Sequence, residues 1–307
     1  MSTENTSAPR SVLARIFLSP SERRLRAGWR LLIQFILFVL LTVCTTIPFL
    51  IAINFSSNTT DTTRQMLVST IAGFIAITVS VFLARRFLDK RSFTSLGLQL
   101  SSRAIPDLLA GIVITFVMMV VIFGIELSLG WIQLVDKNTL SSLPVYSLGI
   151  TISLWLFIFI LTGWQEELLT RGYQLQNFME GTNTLWGAIL SSLIFAVLHS
   201  LNPGASPIAI AGLFLAGLFF VYAYLRTGQL WLAIGLHIGW NFFEGPVFGF
   251  PVSGLAMPSF ILQYATGPDL WTGGKFGPEA GLIILPALAL GALMIYAYTH
   301  PDIRANL

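Results

Sequence analysis

The 307 residues are 55% apolar and only 10% charged, with a mean hydropathy of +0.78; an ordinary soluble domain carries about 25% charged residues. This composition excludes a soluble globular protein and a disordered one, and the single cysteine, Cys44, excludes an intrachain disulfide and any thiolate-rich metal site. The net charge of +3 does not point to nucleic acid, because the basic residues flank apolar runs, where they orient a chain in a bilayer.

In chain order, a basic segment at 1–30 holds six arginines (Arg10, Arg15, Arg23, Arg24, Arg26 and Arg30). Apolar runs of helical length follow near 31–53, 66–84, 108–130, 145–172, 184–201, 207–225, 229–246 and 280–298. They predict an all-α polytopic membrane bundle of about eight transmembrane helices, an even number that leaves both termini on one side. The first run is too long for a signal-peptide core and is read as a retained anchor. With the N-terminus in the cytoplasm, fourteen Lys and Arg fall on inner segments and three, Arg64, Lys137 and Lys275, on outer ones. That bias fixes the orientation. The N-terminal transmembrane helices occupy 31–144. They are interrupted at 85–107 by basic residues mixed with Phe87, Leu88, Phe93, Leu96 and Leu98, a pattern that suits an interfacial segment or a solvated loop equally. Residues 145–246 carry the intramembrane ionisable groups. A Gly- and Pro-rich stretch with several aromatics, 247–279, is expected to be an ordered outer loop, and 280–307 holds the last span and the tail. No long repeat, P-loop or dinucleotide fingerprint is present.

Charge inside a span costs several kcal/mol, so ionisable residues there are functional candidates by default. Three clusters stand out. In Glu166-Glu167-Leu168-Leu169-Thr170-Arg171, helical spacing places Glu167 and Arg171 one turn apart, where they can pair, and turns Glu166 about 100° away. Pairing leaves Glu166, a partly desolvated carboxylate, free to act as a general base near neutral pH. The second cluster ends at His199. With a helical turn near Gly181–Asn183, Glu166 lies about 16 residues before it and His199 about 17 after, so an antiparallel hairpin brings both to one depth. In the third, His237 and Asn241 are spaced i,i+4 on one face, and both can donate to a developing oxyanion. Glu244, seven residues after His237, falls on the same face, where it either tunes the charge of the imidazole or, the reading preferred, reaches the outer interface.

Together, Glu166-Glu167-x-x-x-Arg171, Phe195-x-x-x-His199 and His237-x-x-x-Asn241, in that order on successive spans, resemble the three motifs of the CPBP intramembrane proteases, also called the Abi or CAAX-protease family. The flanking Arg171-Gly172-Tyr173 and Leu230–His237 strengthen the likeness, which runs from about 164 to 243. The resemblance implies an intramembrane endopeptidase acting on a membrane-associated or lipidated protein or peptide. In it Glu166 activates water, His199 holds or polarises that water, His237 and Asn241 form the oxyanion hole, and Glu167 and Arg171 order the site. No cofactor is required in the favoured reading. A zinc-dependent version would bind the ion through Glu166, His199 and His237, although the HExxH spacing that usually builds such a site is absent.

Two other classes compete. A non-catalytic bacteriocin-immunity or binding protein predicts loss of a motif residue, and none is lost; a transporter using Glu126, Glu166 and the histidines as relay groups predicts inverted repeats, which are not found. The expected setting is the plasma membrane, multi-pass and bacterial, with lipid and a protein or peptide substrate as partners, no nucleic acid, and a site that opens toward the cytoplasm.

Overall fold

The computed structural model describes residues 11–20, 22–56, 62–135 and 145–300. A short helix α1 (Val12–Phe17) precedes the long α2 (Ala27–Ser56), α3 (Thr62–Leu83), α4 (Ala104–Ser128), α5 (Val145–Glu167), α6 (Leu175–Gly181), α7 (Thr184–Leu198), α8 (Pro207–Thr227) and α9 (Trp231–Phe242). After a long loop come the four-residue α10 (Asp269–Thr272) and α11 (Ile284–Tyr298). The expected all-α membrane bundle is the architecture observed. Among the described residues, five helical stretches are long and apolar enough to cross a bilayer: Ala27–Pro48, Thr63–Leu88, Ala104–Ser128, Leu148–Gly181 and Pro207–Thr227. The apolar helices Thr184–Leu198 and Ile284–Tyr298 are shorter.

Local chemistry sets the ends of these elements. Asn183 caps α7 by accepting the Trp186 amide at 3.0 Å, and Ser206 caps α8 by accepting that of Ala209 at 3.1 Å, with Pro207 in the first turn, where its missing N–H is not needed. Gly228 closes α8 at a φ of 64°, a conformation open to glycine. Two expected runs end sooner than hydropathy suggests. The fifth stops at Leu198, with His199 at its C-cap, and the seventh passes after Phe242 into a π-helical turn, Phe243–Val247. The fourth extends further, because a π-helical turn at Leu168–Gln174 joins α5 to α6 and carries the helix to the hairpin.

The short α9 is the axis of the bundle: every residue from Leu232 to Asn241 is buried. It lies against α4 at backbone distance. A Cβ on Gly235 would collide with the Leu108 carbonyl oxygen, and one on Gly239 with the Thr115 hydroxyl. Glycine permits this approach and so fixes how deep α9 sits. Around it, α5 packs between α3 and α9, and α7 pairs with α8.

The segment at 85–107 is neither a free loop nor a surface layer alone. Leu96 and Leu98 enter the core with Leu168, Tyr173 and Leu230, while Arg85 and Asp89 are buried in an ionic cluster. Asp89 accepts from Arg30 at 2.7 Å and from Arg85 at 2.8 Å, and Glu180 accepts from Arg30 at 2.6 Å and from Arg24 at 2.8 Å. The N-terminal arm, the 85–96 turns and the α6–α7 hairpin are thereby tied together. Several arginines that orient the chain in the sequence reading thus also carry internal ion pairs. At the other end the loop is ordered, and it adds a two-stranded antiparallel ribbon to the helical fold: β1 (Ile132–Leu134) pairs with β2 (Gln263–Ala265), Gln133 opposite Tyr264.

Candidate functional site

The last turn of α5 carries Glu166 and Glu167, and the π-helical turn follows at once. The expected Glu167–Arg171 pair is present at 3.0 Å, both side chains fully buried. Arg171 also donates to the Thr170 hydroxyl at 2.7 Å and to the Gly217 carbonyl of α8 at 3.0 Å, and its guanidinium lies 4.5 Å over the Phe195 ring and 5.0 Å from that of Phe220. A buried guanidinium is tolerable only with this degree of compensation. Sequence reasoning did not foresee that the same Glu167 oxygen, Oε1, accepts the Nδ1 hydrogen of His237 at 2.8 Å. That bond runs between helices across seventy positions, and i,i+4 periodicity carries no trace of it.

The two imidazoles are oriented alike. His199 donates from Nδ1 to the Phe195 carbonyl at 2.8 Å, and His237 from Nδ1 to Glu167. Carbonyls and carboxylates only accept, so each Nδ1 carries a hydrogen, and Nε2 is an acceptor in a neutral ring and a donor in a protonated one. Both Nε2 atoms face the Oε2 of Glu166, His237 at 3.7 Å and His199 at 3.8 Å. These separations are too long for direct hydrogen bonds, and that Glu166 oxygen has no hydrogen-bond partner. The Glu166 carboxylate and the two Nε2 atoms therefore converge on one point, with room between them for a small polar group. Phe220 stacks on the His237 ring, with centroids 5.1 Å apart and planes 7° apart, and holds its tilt.

A cavity of about 380 Å³ contains these groups. Glu166, His199, His237 and Asn241 all line it, so the structure brings the four sequence-selected residues into one chamber. Glu167 and Arg171 stand behind its wall. Glu166 is fifteen residues from Gly181, about 22 Å of helical rise, which puts the chamber far from the ionic cluster. Asn202, Ser253 and Glu279 line the same chamber. Past His199 the backbone turns irregularly: Asn202 N–H bonds the His199 carbonyl at 3.0 Å, and its side chain donates to the Ser253 carbonyl at 3.1 Å. Asn202 is half-buried in the cavity wall, whereas Gly204 is exposed.

One expectation is corrected. Glu244 does not reach an interface; it is fully buried, because the turn Phe243–Val247 folds it inward. Glu279, read in the sequence only as the end of a loop, was missed. Its one sequence signal is a carboxylate in Gly277-Pro278-Glu279-Ala280-Gly281, directly ahead of an apolar run. As for metal, the Glu166, His199 and His237 acceptors match a zinc ligand set in type. Among the described residues, however, no group of three or more His, Cys, Asp and Glu is spaced to hold an ion.

The fold and the site together define a helical membrane bundle with a carboxylate and two imidazoles around a buried chamber. Residues 148–243, about a third of the chain, match the sequence model described as Type II CAAX prenyl endopeptidase Rce1-like, so this part of the chain is similar to that family. The chain is also 40% identical over 85 residues to an uncharacterized 24.3 kDa protein of Escherichia coli, a match covering 27% of this chain and 38% of that protein. The chain thus spans well under half the length of this curated relative.

Proposed function

We propose that the chain is an intramembrane endopeptidase that hydrolyses a peptide bond of a membrane-associated or lipidated protein or peptide. The observation that carries this reading is the meeting of Glu166 Oε2 with the Nε2 atoms of His237 and His199, at 3.7 and 3.8 Å from the carboxylate. A water held there donates to Glu166, which takes its proton as the oxygen attacks the scissile carbonyl carbon. His199 holds the water. As the C–O bond forms, the carbonyl oxygen becomes an oxyanion that accepts from Asn241 and from Nε2 of His237, which in this reading enters the step already protonated on both nitrogens, its Nδ1 hydrogen on Glu167. The C–N bond then breaks, and the proton on Glu166 passes to the leaving amine.

In this reading the chain crosses a plasma membrane eight times with both termini in the cytoplasm. The chamber opens toward the cytoplasm and is closed on the outer side by Asn202, Ser253 and Glu279. The zinc-dependent version draws support from the two Nδ1 atoms, each fixed by an acceptor and leaving Nε2 free, as in metal-ligating histidines. The decisive experiment incubates the purified protein, wild type or Glu166→Ala, with a bacterial membrane proteome and sequences new peptide termini. Termini that appear only with the wild type are expected. If the wild type and Glu166→Ala give the same set of termini, the protease reading is overturned in favour of a binding protein.

A further inference from the structure

In the chamber wall, one carboxylate joins two parts of the site that are distant in sequence. Glu279 is 5% exposed and lines the cavity. Its Oε1 accepts the Trp240 indole N–H at 3.1 Å, and its Oε2 accepts the Ser253 hydroxyl at 2.5 Å. Trp240 sits on α9 between His237 and Asn241. Ser253, through its carbonyl, accepts from Asn202, whose own amide bonds the His199 carbonyl. An unbroken hydrogen-bonded chain therefore runs from His199 through Asn202, Ser253 and Glu279 to Trp240.

Two features separate this arrangement from ordinary packing. Glu279 is a buried carboxylate bonded to two neutral donors and to no Lys or Arg, an expensive way to hold two segments together. Ser253 lies at a φ of 46°, in the left-handed region that non-glycine residues seldom occupy and that clusters at working sites. Its hydroxyl bond to Glu279 helps to hold it there. Behind the pair, Glu244 is buried, and the Trp240 N–H points to Glu279 rather than to it.

We propose that Glu279 is a positioning residue, which fixes the turn after His199 to the helix bearing His237 and Asn241 and so sets the spacing of the two imidazoles about Glu166. The proposal rests on the protease reading for its catalytic consequence, though not for its structural one. Glutamine is the informative replacement, since its carbonyl can accept from Trp240 and its amide can donate to the Ser253 oxygen, keeping both links without the charge.

The test has two arms. In the first, an internally quenched peptide built on a cleavage sequence from the proteome experiment is hydrolysed by wild type, Glu279→Gln and Glu279→Ala, with rates normalised to the folded, monodisperse fraction. Glu279→Ala is expected to lower kcat by about 10- to 100-fold with KM within about threefold, the size of effect that a 1 Å misplacement produces, and Glu279→Gln to restore most of the loss. A purely structural role would reduce the folded fraction without this split. An alanine variant with wild-type kcat, or a glutamine variant as impaired as alanine, overturns the proposal. The second arm needs no substrate: in a Cys44→Ala, Ala205→Cys background, the rate of maleimide modification should rise several-fold with Glu279→Ala and stay near the Glu279-containing rate with Glu279→Gln. An unchanged rate with alanine also overturns it. If the proteome experiment yields no Glu166-dependent cleavage, the protease reading fails, and the labelling arm still decides whether Glu279 holds the turn in place.

Discussion

Substituting Glu167 by Gln separates the chemical role of Glu166 from the architectural role of its neighbour. Glu167 Oε1 receives Arg171 at 3.0 Å and His237 at 2.8 Å, and neither Glu167 nor Arg171 is reached by solvent. Removing the carboxylate charge leaves a buried guanidinium with only the Thr170 hydroxyl, the Gly217 carbonyl and two aromatic faces. Breaking a buried pair by removing one partner destabilises by about 3–5 kcal/mol, which is roughly 150- to 5,000-fold in a folding equilibrium. Glu167→Gln should therefore lower the Tm of the detergent-purified protein and its yield of monodisperse material, as well as activity. The double variant Glu167→Leu/Arg171→Met removes both buried charges and should recover much of the lost stability, yet stay inactive because His237 loses the acceptor of its Nδ1 hydrogen. The assay is thermal unfolding followed by size-exclusion chromatography for wild type, Glu167→Gln and the double variant. If Glu167→Gln keeps wild-type yield and Tm while abolishing turnover, Glu167 is the chemical base, and the assignment of Glu166 is wrong.

Gly235→Ala should lower Tm sharply, since its Cβ would meet the Leu108 carbonyl and overpacking costs about 1–3 kcal/mol or more, whereas Gly124→Ala, with nothing within 4 Å, should stay within about 1 kcal/mol of wild type. If the proposed activity holds, treating the protein with EDTA or 1,10-phenanthroline should leave Glu166-dependent cleavage intact; loss that added zinc restores would establish the zinc-dependent version. In a Cys44→Ala background, a cysteine at Leu270 should react with an impermeant maleimide in intact cells and one at Leu100 only after permeabilisation, while the reverse pattern would invert the proposed orientation.

What the sequence made legible was whatever one helix or one hairpin determines. The Glu167–Arg171 pair follows from i,i+4 spacing, and the common depth of Glu166 and His199 follows from counting residues on either side of the turn at Gly181–Asn183. What escaped depends on which helices become neighbours. The second bond of Glu167 and the arrival of Glu279 at the chamber arise from contacts between segments distant in sequence, and the inward turn of Glu244 comes from a π-helical turn that α-helical periodicity does not signal. The ionic cluster escaped for a related reason. Arg30, Arg85, Asp89 and Glu180 come from separate segments, so each reads singly as a boundary charge, and only the folded bundle shows that they compensate one another.

The π-helical turn at Leu168–Gln174 has a further consequence. It works as a phase shift in one continuous rod. Upstream of it, Glu166 and Glu167 are in angular register with the chamber; downstream, Gln176 bonds the Leu96 carbonyl and Glu180 grips Arg24 and Arg30. A π-turn amounts to one residue inserted into α-helical winding, so deleting a residue there would restore ordinary winding and rotate one half by about 100° against the other. Either the acid pair would leave the imidazoles or Glu180 would leave its arginines. A single-residue deletion in this turn would thus be far more damaging than most point substitutions along the same rod, and this stretch should tolerate exchange of its side chains better than any change in its length.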